Sequence, residues 1–78
     1  MMTKRQYEIL EHLLHHEGEF YSSKTLADLF GISVRTIKTD MKAIKQFSAK
    51  QNTFELQTLP SKGTRVVTEN SEQAYLTI

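Results

Sequence analysis

The chain has 78 residues, which is enough for one small domain and too few for two. Its 38% apolar and 24% charged residues are typical of a soluble globular domain and exclude a disordered chain, while the lack of cysteine excludes disulfides and thiolate zinc sites. The net charge of +1 points to no particular partner, so the information lies in how the residues are arranged along the chain.

The first predicted element is a helix over residues 3–16. One face of this helix, at 100° per residue, is apolar and carries Ile9, Leu10, Leu13 and Leu14. The opposite face is expected to be exposed to solvent and carries Glu8, Glu11, His12 and His15. Gly18 offers a stop, and Phe20 and Tyr21 then form a very short extended stretch.

Two further helices follow, joined by a tight turn. Ser22 is the expected N-cap of the second helix, residues 23–30, and Gly31 can take the left-handed conformation that ends it. Ile32 fills the turn, and Ser33 caps a third helix that is predicted over residues 34–49. The inward-facing stripe of the third helix steps by four, three and four residues through Ile37, Met41, Ile44 and Ser48.

The remainder of the chain has the pattern of a hairpin and a tail. Phe54, Leu56 and Thr58 alternate within a predicted strand over residues 53–59. Residues 60–63 form a turn, and the β-branched residues 64–68 form the returning strand. Residues 69–78 are a tail, of which residues 71–78 could begin another helix or a linker to a domain outside this sequence.

The segment from Leu26 to Ile37 has the spacing of a helix-turn-helix. The small Ala27 allows the two helices to approach closely, Gly31 permits the turn, and Ile37 anchors the later helix against the earlier one. With the hairpin, this motif predicts an α+β fold over residues 1–68, a winged helix-turn-helix with three helices and a small antiparallel β-hairpin wing. In such a fold the third helix is held out for the major groove of double-stranded DNA.

Positive charge is concentrated on the third helix. Residues 1–21 hold two basic and four acidic side chains, whereas residues 35–50 hold five basic side chains and one acid, Asp40. Basic charge gathered on one element is typical of a protein that binds a polyanion. A solvated helix face is the alternative for the basic run taken alone, and the helix-turn-helix spacing favours DNA.

Candidates for DNA contact lie opposite Ile37 on the third helix. They are Arg35, Thr39, Lys42 and Gln46, flanked by Thr36 and Lys38. Arginine suits guanine, glutamine suits adenine, threonine can touch a thymine methyl, and lysine suits phosphate. Val34 lies nearer the inward side, and the helix N-terminus at Ser33 favours a phosphate. On the hairpin, Arg65 could reach the DNA backbone or minor groove, as could Lys62, which is equally well explained as a solvated turn residue.

Several short motifs carry a family resemblance. They are Lys4-Arg5-Gln6, Ser22-Ser23-Lys24, Gly31-Ile32-Ser33, Arg35-Thr36-Ile37-Lys38 and Ser61-Lys62-Gly63. The stretch that contains them, about four-fifths of the chain, resembles the N-terminal winged helix-turn-helix of bacterial carbohydrate regulators with phosphotransferase-regulation domains. These regulators include activators of the mannitol and lichenan operons and are related to the BglG-type antiterminators. Residues 33–37 are also similar to DeoR-type sugar repressors, Mga-type virulence activators and the biotin repressor.

The resemblance implies a module that binds operator DNA, usually as a homodimer, within a longer cytoplasmic transcription regulator that senses sugar status. No cofactor is expected. A membrane is not expected as a partner either, because no segment approaches the roughly 20 apolar residues of a membrane span. A winged-helix module that binds another protein is the alternative. That alternative would be expected to place large apolar residues on the exposed face of the third helix, where the chain has Arg35, Thr39, Lys42 and Gln46.

Other kinds of site have little support. His12 and His16 lie four residues apart and could bracket a metal ion, but no third ligand is evident, and a polar helix surface is the preferred interpretation. No Gly-rich phosphate loop, paired carboxylates or Ser-His-Asp grouping supports catalysis, so an enzyme is not expected. Binding of single-stranded RNA would call for interleaved aromatic residues on a sheet, and the chain lacks them.

Overall fold

The order of the structural elements follows the predicted one. A computed structural model describes residues 2–77 apart from the side chains of residues 71 and 77, so residues 1 and 78, where the predicted domain begins and the tail ends, lie outside it. The elements are α1 (Lys4–His15), α2 (Ser23–Phe30), α3 (Val34–Ser48), β1 (Glu55–Leu59), β2 (Gly63–Val67) and α4 (Ser71–Thr77). Three main helices followed by a two-stranded antiparallel hairpin confirm the α+β winged helix-turn-helix fold.

Each of the first three helices begins at a residue with a hydroxyl group. The side chains of Thr3, Ser22 and Ser33 each accept a hydrogen bond from the backbone N–H three residues later. At α1 the Gln6 side chain also accepts the Thr3 backbone N–H at 2.9 Å, which completes a capping box. The predicted caps Ser22 and Ser33 are confirmed, so the start of α3 is defined by a local hydrogen bond.

Apolar side chains of the helices and the hairpin meet in one core. Its largest fully buried apolar members come from α1, α2, α3 and β2 and are Ile9, Leu10, Leu13, Leu26, Ile37, Ile44 and Val66. Ala27 is also buried, and its small side chain lets α2 and α3 pack closely. In the predicted stripe of α3, Met41 packs at the edge of the core and the other three side chains are buried. The core thus fixes one side of α3 and leaves the other side to solvent.

The turn between α2 and α3 is tight and built on one glycine. Gly31 ends α2 in the left-handed conformation, with φ of 65°, which other residues adopt only at a cost in free energy. Ile32 then donates its backbone N–H to the Ala27 carbonyl at 3.0 Å and packs against the core. Because Ser33 already caps α3, the angle between the two helices is set within a few residues.

Residues 55–67 form the wing, which is joined to the body of the domain through Tyr21. The strands β1 and β2 pair antiparallel along their whole length. Tyr21, between α1 and α2, exchanges two backbone hydrogen bonds with Thr64 of β2, at 2.8 and 2.9 Å. Gly63 permits this approach, because its φ is 104° and a Cβ there would lie 2.2 Å from the Tyr21 carbonyl oxygen. The extended stretch predicted at residues 20–21 therefore pairs with β2 near the turn of the wing.

The structure differs from the prediction at several element ends. α1 ends at His15 with His16 as its C-cap, ahead of Gly18, and β1 begins at residue 55 instead of 53. The tail folds as α4, which buries Ala74 in the core and places the Tyr75 ring 5.3 Å from the His15 ring. No helix within residues 2–77 has the length and apolar character needed to cross a membrane.

Candidate nucleic-acid interface

The outer side of α3 is polar and open to solvent. We define its exposed side chains as the recognition face: Arg35, Lys38, Thr39, Lys42 and Gln46. Within residues 2–77, no hydrogen bond or ion pair engages the charged groups of Arg35, Lys38 or Lys42. These cations could therefore bind a phosphate or a base without first breaking an intramolecular bond.

The single acid of this helix, Asp40, points into the protein. Asp40 is 1% exposed and accepts hydrogen bonds from Arg5 Nε at 2.7 Å, Arg5 Nη2 at 3.0 Å and Gln6 Nε2 at 3.0 Å. The hydrogen bonds from Arg5 lower the pKa of Asp40 below its ordinary value, although burial acts in the opposite direction. The carboxylate thereby ties the middle of α3 to the start of α1.

The inward position of Asp40 changes the charge that α3 presents. The exposed charges from residue 35 to residue 50 are all positive, and they are Arg35, Lys38, Lys42, Lys45 and Lys50. Sequence analysis counted Asp40 against the basic run without assigning it to either side of the helix. Its spacing is the signal that could have corrected this, because residue 40 lies three after Ile37 and four before Ile44, inside the buried stripe.

The hydroxyl groups of the first turn of α3 are largely occupied by the helix itself. Ser33 Oγ accepts the Thr36 backbone N–H at 3.1 Å and lies 2.9 Å from Thr36 Oγ1, and Thr36 is half-buried. Thr39 donates its hydroxyl to the Arg35 carbonyl at 3.2 Å. Ser33 and Thr36, two of the candidate DNA contacts, thus order the first turn of α3. The capacity of this helix end to bind an anion therefore lies mainly in its backbone N–H groups.

Val34, at the first position of α3, is an exposed apolar residue. It is 38% exposed, whereas the sequence analysis placed it nearer the inward side. A helical wheel treats the first turn like the middle of a helix. However, no earlier turn lies over a side chain at the helix start, and helical side chains lean toward the N-terminus. The predicted cap at Ser33 was the available signal that Val34 occupies such an end position.

The two basic side chains of the wing share one aromatic ring. Arg65 donates from Nε and Nη2 to Oε1 of Gln57, the residue opposite it in the hairpin, at 2.9 and 2.7 Å. The Arg65 guanidinium carbon lies 4.7 Å from the centre of the Phe20 ring, and Lys62 Nζ lies 5.7 Å from it. Sequence analysis assigned no role to Phe20, because cation–π contacts between distant segments leave no periodic signal.

The histidines of α1 form part of an aromatic cluster. The His12 ring lies 4.7 Å from that of His16, 5.2 Å from Tyr21 and 6.0 Å from Phe30, so it is half-buried instead of facing solvent as expected. Burial lowers the pKa of His12, and positive charge on His16 acts in the same direction. Within residues 2–77, no three His, Cys, Asp or Glu side chains cluster as a metal ion would require.

Comparison with known proteins connects this geometry to a family. The family described as an HTH domain matches residues 5–65, which contain nearly all of α1, the helix-turn-helix and most of the wing. No curated protein and no solved structure matches the chain. The matched segment covers far more than half of the sequence, and the family consists of DNA-binding domains and not of enzymes. The chain therefore belongs to the HTH domain family of DNA-binding domains.

Proposed function

We propose that the chain reads the sequence of double-stranded DNA for a transcription regulator, with α3 lying in the major groove. The observation that carries this proposal is that the exposed charges of α3 are all positive and lack partners among the described residues, while Asp40 is paired with Arg5 inside the protein. A surface of this kind attracts the phosphates on both sides of a groove. The short turn at Gly31 and the core contact of Ile37 hold it in place.

Different residues of the recognition face take different tasks in this proposal. Arg35, near the N-terminus of α3, can make a bidentate contact with guanine, and Gln46 has the groups to pair with adenine. Thr39 offers a methyl group and an oxygen acceptor, because its donor is used within the helix. Lys38 and Lys42 bind phosphates, which adds affinity without adding sequence information.

The wing contributes contacts outside the major groove. Arg65, in the middle of β2, and Lys62, at the tip of the hairpin, lie against Phe20, where their charge suits the DNA backbone or a narrow minor groove. Ser33 and Thr36 add the phosphate-binding backbone at the start of α3. In this proposal the DNA-binding domain spans residues 1–68, and residues 69–78 are a tail or the start of a linker, in which α4 buries Ala74 in the core.

The resemblance to carbohydrate regulators supplies the wider setting of the proposal. In this proposal the chain is part of a bacterial regulator of sugar uptake or metabolism genes that is linked to the phosphotransferase system. The regulator acts in the cytoplasm and binds its operator as a homodimer. A DeoR-type or Mga-type regulator is the alternative within the same class. Two copies of the domain would then read half-sites about one helical turn of DNA apart, or a multiple of it.

Selection of bound duplexes from a random pool tests the proposal. We expect an enriched motif, tighter binding to it than to random duplex, and affinity for both that falls steeply as salt rises. If the protein shifts no duplex at micromolar concentration and low salt, duplex binding is ruled out and a protein-binding use of the scaffold replaces it. Binding without an enriched motif would overturn sequence reading alone.

A further inference from the structure

One apolar side chain interrupts the polar surface of α3. Across residues 2–77 the large apolar residues with substantial exposure are Leu29, Val34, Leu59 and Leu76. Of these, Val34 alone belongs to α3, and it is 38% exposed. The residue one turn later on the same side of the helix is Lys38, so this small apolar spot has a cation beside it.

The position of Val34 places it at the end of the helix that approaches the bases. Val34 is the first residue of α3, directly after its cap Ser33. Because helical side chains lean toward the N-terminus, its methyl groups extend beyond the first turn. In helix-turn-helix proteins the N-terminal residues of the recognition helix contact the base edges.

The fold itself does not favour valine at this position. The domain core is formed by other residues, and Val34 is outside it. A β-branched side chain has lower helix propensity than alanine, lysine or arginine, and exposure of its methyl groups to water is unfavourable. Valine here is accounted for if the methyl groups meet an apolar partner when the protein is bound.

We propose that Val34 contacts the C5 methyl group of a thymine in the major groove and so selects thymine at one position of each half-site. This inference rests on the proposed function of α3 as a major-groove reader. Thymine is the one standard base whose major-groove edge carries a methyl group. Contact between that methyl and Val34 removes both from water, and cytosine or a purine at that position offers no equivalent surface.

Deoxyuridine provides the test, because it differs from thymidine only in lacking the C5 methyl. In the motif selected by the protein, each thymine is replaced singly by deoxyuridine, and the Kd is measured for the unmodified protein, Val34→Ala and Leu29→Ala. At one thymine per half-site, we expect deoxyuridine to weaken binding of the unmodified protein about fourfold, as the loss of one buried methyl predicts. Val34→Ala should weaken binding to the thymine duplex by about the same factor and show no further loss with deoxyuridine.

Leu29→Ala is the matched control, since it removes an exposed apolar side chain of α2 next to the same turn. This variant should keep the full deoxyuridine penalty. If no position shows a penalty that disappears in Val34→Ala, or if the selected half-site contains no thymine, the assignment of Val34 is wrong while DNA binding by α3 stands. If no duplex binds at all, the proposed function fails and this inference fails with it.

Discussion

The recognition face of α3 and the wing both carry basic side chains, but they hold them in opposite ways. On α3, Arg35 and Lys42 have no intramolecular partner within residues 2–77. On the wing, Arg65 is fixed by two hydrogen bonds to Gln57 and by the ring of Phe20. The first arrangement leaves the donors of Arg35 and Lys42 available to a base or a phosphate. The second holds Arg65 in place beforehand, so less side-chain entropy is lost when it binds the DNA backbone.

The two regions also differ in how they are attached to the domain. α3 is held by a buried apolar stripe and by the bond between Asp40 and Arg5. The wing is held by Val66, which is buried in the core and accepts the Gly18 backbone N–H, and by the backbone contact between Tyr21 and Thr64 near the turn, which depends on Gly63. We therefore expect substitutions that disturb the attachment of either region to lower the stability of the domain, and substitutions of the exposed basic side chains to lower its affinity for DNA.

Gly63→Ala should break the contact between the wing and Tyr21. The new Cβ would collide with the Tyr21 carbonyl at a backbone conformation that alanine rarely adopts. Strain and the loss of the two Tyr21–Thr64 hydrogen bonds should lower the free energy of unfolding by about 3 kcal/mol, measured by urea denaturation. Gly31→Ala is the control, because nothing lies within 4 Å of a Cβ there and only the strain of about 1 kcal/mol is expected. Equal effects of the two substitutions would contradict the account of how the wing is attached.

Asp40→Ala should loosen α3 by removing the acceptor of three hydrogen bonds. Since the amide of the buried Gln6 would lose its partner, we expect a loss of about 2 kcal/mol in unfolding free energy at pH 7. Asp28→Ala, which removes an exposed carboxylate of α2, should change stability by less than about 0.5 kcal/mol.

The effect of Asp40 should also depend on pH. Its pKa is lower in the folded protein than in the unfolded chain, so its contribution is complete above the ordinary carboxyl pKa of about 3.9 and is lost as pH falls through the lowered value. The stability difference between the unmodified protein and Asp40→Ala should therefore shrink in acid. A difference that stays constant from neutral pH down to pH 2 would mean that the ionised carboxylate does not anchor α3.

Arg35→Ala and Lys42→Ala should separate base reading from phosphate binding on one helix. Arg35→Ala is expected to cost about 1–3 kcal/mol on the selected duplex and much less on random duplex, because a guanine contact is lost. Lys42→Ala should weaken binding to both duplexes together and reduce the slope of log K against log salt by about 1. Titrations at several salt concentrations measure both effects. If Lys42→Ala alone lost discrimination between the two duplexes, Lys42 would be the residue that reads a base, and the assignment to Arg35 would be wrong.

Phe20→Leu should have the smallest effect, on the wing alone. Removing the ring deprives Arg65 of one of its contacts and leaves its hydrogen bonds to Gln57, and an exposed cation–π contact is worth about 0.5–1 kcal/mol. We expect DNA affinity to fall by no more than this for every sequence, with Phe20→Tyr behaving like the unmodified protein. A change in the preferred motif would show that the wing reads bases.

The predictable parts of this protein are those that local rules determine. The caps Ser22 and Ser33, the left-handed Gly31 and the hairpin all follow from patterns a few residues long. The helical spacing of apolar residues likewise predicts which side of α3 packs against the core. These features place the recognition face on the exposed side of the helix before any coordinates are known.

The features that sequence analysis missed depend on contacts between distant segments or on helix ends. Asp40 pairs with Arg5, 35 residues away, and a charge count cannot show which acid is turned inward. His12 is covered because the chain at Tyr21 folds back over α1 to reach the wing. Val34 is exposed because no turn precedes it, an end effect that helical periodicity ignores.

Nuclear Overhauser contacts between the protein and its selected duplex would test the central proposal most directly. If α3 lies in the major groove, the side chains of Arg35, Thr39 and Gln46 should give contacts to cytosine H5 and thymine methyl protons, while residues of α4 give none. Intermolecular contacts confined to α1 and α4, or to minor-groove protons, would show that another surface of the domain binds DNA.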